Sequence, residues 1–480
     1  MGVFDTIRTL KGTGQYEEAW QHGCAALQQD QHNEYLQTTL FWVIYAALKQ
    51  KIDPIKKRKN TKPFPAEQNW IDAWTARIAE LNLSLPSDNI DYRLWNLFTH
   101  KDIGPFCNPL CLYILSSGRA LFRLEDYIPY RTANGESPSV VCKLARIVAA
   151  NYLYCQGEGL PPVGKITGFL QYAFETTEDS SHKVWLIYDK ARVLAASGQI
   201  ERARQAYMEV LEQKRSESWA WFDLATTYTD EPSKASSLIA YGLTCVHDPK
   251  FSIKGLYHFA SLQAQQSNYA DASRALIRLS GIYQQNGWAI RKEVSALMAS
   301  SWYDNSLDEA ELNATIRTLA ASANQYVLRH PVVYKGVVEA IHKSGKGANI
   351  YIGPERIISV FKRLFQTRTA FRPGTFIEIL CDEKSDEIIP VSVKKIEPFS
   401  SENICVFAGA LKLTERGFGF VNNIFVPPFL TGDHANGEEV SGLAVLKLDK
   451  VKNVNSFAAV TMNKHKVPRP DMPHDSNESQ

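Results

Sequence analysis

Residues 403–430 read NICVFAGALKLTERGFGFVNNIFVPPFL, and the fold of the C-terminal part of the chain turns on how this run is parsed. Side chains alternate faces along a strand, so Phe418 and Phe420, two positions apart, project from one face. Gly417 and Gly419 are expected to keep that face uncluttered, so that flat groups can lie against the rings. Phe425 belongs to the next apolar run and extends the platform, while Lys412 and Arg416 sit where they can neutralise phosphates. Widening the window gives ICVFAGALKLT, RGFGFV, NIFVPP, EVSGLAVLKLD and SFAAVTM between Asn403 and Met462, five short strands with turns between them.

Such a set fits a small OB barrel. Within it, Lys412-x3-Arg416-Gly417-Phe418-Gly419-Phe420-Val421, followed by Ile424-Phe425-Val426, resembles the cold-shock domain. That family carries a basic-Gly-Phe-Gly-Phe-aliphatic strand and then an aliphatic-Phe-Val strand. The resemblance covers about 60 of the 480 residues. It implies binding of single-stranded nucleic acid, each base stacked on an aromatic ring contributing ~1–3 kcal/mol without regard to base sequence. The chain departs from the family at two places: Pro427-Pro428-Phe429 stands where the family has His, with Phe429 as a substitute ring, and Leu413 stands where it has Trp. The alternative is that these phenylalanines are the core of a barrel that binds protein, or nothing.

Upstream, Lys343, Lys346, Arg356, Lys362, Arg363, Arg368 and Arg372 face a single acid, Glu355, in a chain whose net charge is only +2. A local patch of this kind attracts a phosphate backbone; the alternative is a solvated linker. PERIISVFKRLFQT, from Pro354, is expected to be a helix with Ile357, Phe361 and Leu364 on one face. TFIEILC and IIPVSVKKI, between Gly374 and Pro398, read as strands of a small β unit of unassigned fold.

The first ~345 residues read almost wholly as helices by their 3.6-residue periodicity. In VWLIYDKARVLAASGQIERARQAYMEVLE (184–212), Ala191 permits close packing, Gly198-Gln199-Ile200 makes a turn, and Ala203, Tyr207 and Leu211 line a second helix. Trp221, Leu224, Ala225 and Tyr228 with Ala235, Ile239 and Leu243 repeat the theme around a shorter turn, TDEPSK. Phe259 and Ala260, Ser267-Asn268-Tyr269, then Ala272 and Leu276 give a third unit, and GTGQYEEAWQHGCAAL (12–27) has the same turn. This pattern resembles the tetratricopeptide repeat, which implies a helical solenoid with a partner-binding concave surface. The family's clamp for acidic chaperone tails is not evident, because Tyr188 and Arg192 stand at its Lys and Asn positions.

Other classes find little support. The eight cysteines are scattered without a C-x-x-C pair, and Cys107 and Cys111 lack further ligands nearby, so they read as buried free thiols rather than metal ligands. No apolar run reaches the ~20 residues of a membrane span, the N-terminus lacks a signal-peptide core, and Leu40–Leu48 reads as a buried helix. GKGAN (345–349) misses a phosphate loop, with Ala340 and Gly347 at positions that need Gly and Ser/Thr. Lys51–Pro65 is read as a basic surface loop.

The expectation is therefore a multidomain α+β chain, an α-helical TPR-like solenoid followed by small β-barrels, the last an OB-fold. Its parts are a helical region of degenerate repeats (1–160), TPR-like repeats (161–345), a basic helix plus a small β unit (346–402), the cold-shock-like barrel (403–462) and a disordered tail (463–480). The expected function is non-catalytic and cytoplasmic, without cofactor, metal or membrane. Single-stranded RNA or DNA would bind through Lys412, Arg416, Phe418, Phe420, Phe425, Phe429, Lys362, Arg363, Arg368 and Arg372, and an unidentified protein would dock on the repeats. The alternative is a protein–protein scaffold whose barrel is an assembly module.

Overall fold

The computed structural model describes residues 2–58, 62–81, 83, 94–95, 97–118, 122–132, 135–155, 161–328, 330–365, 371–384, 387–449 and 454–464. The chain divides into two compact units, Met1–Ala323 and Asn324–Gln480.

The first unit is helical. It runs α1 (Val3–Gly12), α2 (Tyr16–Leu27), α3 (Glu34–Lys57), α4 (Pro65–Glu80), α5 (Asn108–Ser117), α6 (Val140–Tyr154), α7 (Val163–Thr176), α8 (Ser180–Ala196), α9 (Ile200–Lys214), α10 (Ser218–Ala225), α11 (Pro232–Thr244), α12 (Ile253–Gln265), α13 (Tyr269–Gln285), α14 (Lys292–Met298) and α15 (Leu312–Ala320). Three of its hairpins, α1–α2, α8–α9 and α12–α13, share one turn. Gly14, Gly198 and Ser267 hold φ of +81°, +77° and +64°. The next residue in each case donates its backbone N–H five residues back: Gln15 to Leu10, Gln199 to Leu194, Asn268 to Gln263. A left-handed residue ends one helix and lets the next fold back on it, and glycine adopts that conformation at little cost. At matching offsets around these turns, Ile7, Ala191 and Ala260 before, and Ala19, Ala203 and Ala272 after, are fully buried. The small residues on the return helix bring its backbone close to the outgoing one. The α10–α11 turn, shortened to TDEPSK, is held differently. Buried Arg204 donates to the Thr227 carbonyl through Nε at 3.2 Å and Nη2 at 2.6 Å, and to Asp230 at 2.9 Å.

Leu40, Phe41, Val43, Ile44, Ala47 and Leu48 lie inside α3 and are fully buried. Among the described residues, no helix is long and apolar enough to cross a membrane. Two places depart from the nearly all-helical expectation. Tyr130–Thr132 (β1) and Gly135–Ser137 (β2) pair as a small antiparallel hairpin, and the helices stop well before residue 345.

The second unit contains two curled sheets. The first is built from β3 (Pro331–Ile341), β4 (Gly347–Gly353), β5 (Arg356–Phe361), β6 (Phe376–Lys384) and β7 (Glu387–Lys395), in the order β5-β4-β3-β6-β7. This corrects two expectations. The β region begins at Pro331, not 346, and the stretch from Pro354 is not a helix: Arg356–Phe361 is a strand, followed only by a 3-10 turn at Lys362–Leu364. Ile358 and Val360 point into the core while Ile357, Ser359 and Phe361 face outward. A short apolar run satisfies helical and strand periods equally. The β-branched IISV run and pairing with β4 decide for the strand. A parallel bridge between Phe365 and Val393 draws the edge strands together around Val338, Ile350, Ile358, Val360, Ile377 and Ile379.

The second sheet comprises β8 (Ile404–Ala410), β9 (Lys412–Leu413), β10 (Gly419–Val421), β11 (Ile424–Val426), β12 (Glu439–Asp449) and β13 (Val454–Lys464), ordered β8-β12-β13-β11-β10-β9. β8 and β9 are the two halves of one strand, bent at Leu411, whose N–H and C=O pair with Glu438 and Gly437. One half pairs with β12 and the other with β10, so the sheet closes on itself as a five-stranded barrel. The first three strands form a meander, the fourth pairs with the first and the fifth, and the fifth runs parallel to the third at Phe425–Ala458. This is OB connectivity, and the β3–β7 sheet has the same order. The chain is thus α+β, a helical part followed by curled OB-like sheets.

The shared helical turn makes a direct prediction. Gly198→Ala should lower the urea midpoint of the helical signal by about 1 kcal/mol in stability, and Ser267→Gly should raise it by a similar amount. Equal and small effects from both would show that neither residue is left-handed.

Candidate nucleic-acid interface

Closure of the second barrel sorts the RGFGFV and NIFV residues by face. On β10, Gly419 and Val421 are buried and Phe420 faces out; on β11, Ile424 and Val426 are buried and Phe425 faces out. Phe420 and Phe425 are directly opposite in register, and Lys412 on β9 is opposite Phe420 on its other side. Phe418 precedes β10, in a turn closed by the Thr414 N–H donating to the Phe418 carbonyl at 2.9 Å. The three rings form one cluster, with centroids 5.7 Å apart for 418–420, 5.6 Å for 418–425 and 6.0 Å for 420–425. Phe420 is 39% exposed, too open for a core side chain.

The glycines serve another purpose than the one expected. Gly419 faces into the barrel, where a Cβ would meet the Leu411 side chain at 2.8 Å and the Lys412 carbonyl at 2.9 Å. Gly417 has φ +80° and open space around it, so it makes the turn. Leu413, at the family's Trp position, is opposite Gly419 and packs toward the barrel core; it adds nothing to the outer platform.

The rings form one wall of a cleft of about 640 Å³ that includes Pro427 and Phe429. Phe429, on the short helix α16 (Pro428–Thr431), is 75% exposed. Ala458, beside Phe425 in register, leaves the space above the sheet open. The far wall holds residues that the sequence reading missed, Glu339 of β3 and Lys447 of β12, which are paired with each other. Glu339 Oε2 is buried without a hydrogen-bond partner among the described residues. Nearby, Tyr351 packs on Val445 and Val460 and donates its hydroxyl to the Leu446 carbonyl at 2.5 Å. Burial, and then the Glu339 carboxylate, push its phenol up to about 12. It therefore remains a donor at neutral pH.

The basic residues divide. Lys412 and Arg416 are exposed beside the rings. Lys362 and Arg372 are exposed on the first barrel, with the Lys362 ammonium 4.9 Å from the Phe371 ring. The Arg363 side chain and the whole of Arg368 lie outside the described residues. Arg356 is engaged with Glu383 at 3.6 Å and lies over the Tyr334 ring. The two barrels thus carry separate groups of basic residues, as their separation in the sequence suggested. Among the described residues no group of three or more His, Cys, Asp or Glu is placed to hold a metal.

Comparison with known proteins adds two regional similarities. Residues 406–462 match a family described as "S1/CSD-like domain 2 of the TOTE conflict systems". Residues 184–323 match a "Domain of unknown function (DUF7017)". No curated protein matches the chain. Among solved structures, the chain is similar to "Structure of Naa15/Naa10 bound to HypK-THB" at 11% identity and a TM-score of 0.27, covering 67% of this chain and 46% of that one. This chain thus spans about half of that structure, and a score so low carries no argument.

Because Phe420 is open and Val426 is buried, the two should separate in a thermal melt. Phe420→Ala should cost less than about 1 kcal/mol, and Val426→Ala about 2 kcal/mol or more. Equal losses would place Phe420 in the core.

Proposed function

We propose that this chain is a non-catalytic adaptor that binds single-stranded nucleic acid, RNA foremost, on the second barrel and a protein on its helical unit. The observation that carries this reading is the cluster of Phe418, Phe420 and Phe425 on the outer face of a closed OB barrel, opposite Lys412. A flat aromatic surface beside a cation suits a base and its phosphate together. With Glu339 and Lys447 paired to each other, the cleft interior takes a base while the backbone runs past Lys412 and Arg416. Similarity of residues 406–462 to an S1/CSD-like family supports the same reading. The equivalent helical turns with buried alanines support a TPR-like docking surface. A competing reading, a barrel that is purely an assembly module, draws on the exposure of Phe429 at an apolar cleft.

Fluorescence anisotropy decides between them. Single-stranded RNA and DNA should bind more tightly than duplex. A Phe418→Ala/Phe420→Ala double variant should weaken binding at least tenfold, from stacking terms of ~1–3 kcal/mol per base. Lys412→Ala/Arg416→Ala should flatten the log–log salt dependence by ~1–1.5, since each phosphate contact on a single strand contributes about 0.7. A folded wild-type chain that binds no strand would favour the assembly module.

A further inference from the structure

The first barrel is more than a spacer before the second. Its strands two and three, β4 and β5, occupy the same place in the barrel as β10 and β11, which carry the phenylalanine platform. Their outer face has its own ring pair. Phe361 is 61% exposed and stands directly opposite Gly347. A Cβ at Gly347 would come within 2.6 Å of His342 Nδ1, so the glycine is what lets the imidazole lie across β4 beside Phe361. His342 Nε2 is in turn 2.9 Å from Asn349 Oδ1 and 3.3 Å from Ser359 Oγ. Two rings therefore border a row of amide and hydroxyl groups capable of meeting base edges.

Charge differs between the two ends of this pair of strands. Lys343, Lys346 and Lys362 are exposed at the Phe361 end, where the Lys362 N–H donates to the Lys346 carbonyl at 2.9 Å. Glu355 lies in the turn at the opposite end, and Glu383 at that end is held by Tyr334 and Arg356. The length of β4, ~20 Å at the strand rise, separates the lysine end from this mixed end. The three lysines at the ring end thus favour a polyanion there.

The face also adjoins the cleft of the second barrel. Tyr351, two residues after Asn349 on β4, is the residue that packs on Val460. Val460 is two residues from Ala458, the neighbour of Phe425. Tyr351 and Val460 are buried where the two barrels meet, so a strand running between Phe425 and Asn349 crosses over this packed junction rather than resting on it.

We propose that the Phe361–His342–Asn349–Ser359 face is a second subsite for single-stranded nucleic acid, and that one strand spans both barrels. This rests on the second barrel's being a nucleic-acid platform. The test uses the full chain, with uridine oligomers of about 5 and about 20 nucleotides, bracketing one-barrel and two-barrel site sizes. Phe361→Ala, and separately Lys343→Glu/Lys346→Glu/Lys362→Glu, should weaken the long oligomer about tenfold or more and leave the short one nearly unchanged. Ultraviolet crosslinking of the long oligomer should mark the peptide containing Phe361. All these residues are exposed or on turns, and a thermal melt confirms that each variant is folded. Long-oligomer binding that depends on Phe418 and Phe420 but is indifferent to both first-barrel variants would overturn the second subsite and leave the first reading standing. Failure of every oligomer to bind the wild-type chain would overturn both.

Discussion

Closure of the C-terminal barrel through the bent strand at Leu411 is the constraint on which the candidate site depends. Once β8 is committed to β12 and β9 to β10, every residue of the short strands β10 and β11 has its face assigned. Val421, Ile424 and Val426 fill the interior, and the rings between them have nowhere to go but out. Gly419 is part of that closure, because a side chain there would strike Leu411 and the β9 backbone. Gly442 is another part, its missing Cβ lying 1.9 Å from the Thr461 carbonyl oxygen. The barrel is thus sewn shut at glycines, and the exposed aromatic cluster is a consequence of that geometry. The rings meet edge to face or tilted, which is favourable for their quadrupoles and leaves ring surface open to a planar partner.

The contact between the barrels shapes the chemistry of the cleft. Tyr351 is almost wholly buried and spends its hydroxyl on a backbone carbonyl, so the junction is a desolvated, hydrogen-bonded one rather than a loose apposition of surfaces. The Glu339–Lys447 pair at its margin places one charge of each sign beside an otherwise apolar space.

In the helical unit the economy is different. Repetition of one left-handed turn, with small buried residues at matched offsets, brings the paired helices close, and large buried rings such as Trp221, Phe222 and Phe259 fill the space between layers. Where the turn is shortened, at TDEPSK, a buried arginine fork takes over the role of the missing residues.

The sequence by itself determined the class of each half and the identity of the outward rings. Helical period, turn glycines and buried alanines are local properties, as is the two-residue spacing of Phe418 and Phe420, and local properties survive in a linear reading. It did not determine the state of Arg356–Phe361, because a short β-branched run fits either period until a neighbouring strand claims its hydrogen bonds. It did not reveal what Gly419 is for, since the atoms that crowd it come from strands paired by closure. Nor did it bring Glu339 and Lys447 together. Those arrangements join residues far apart in the chain, and only the folding of two sheets, each curled back on itself and packed through Tyr351, decided them.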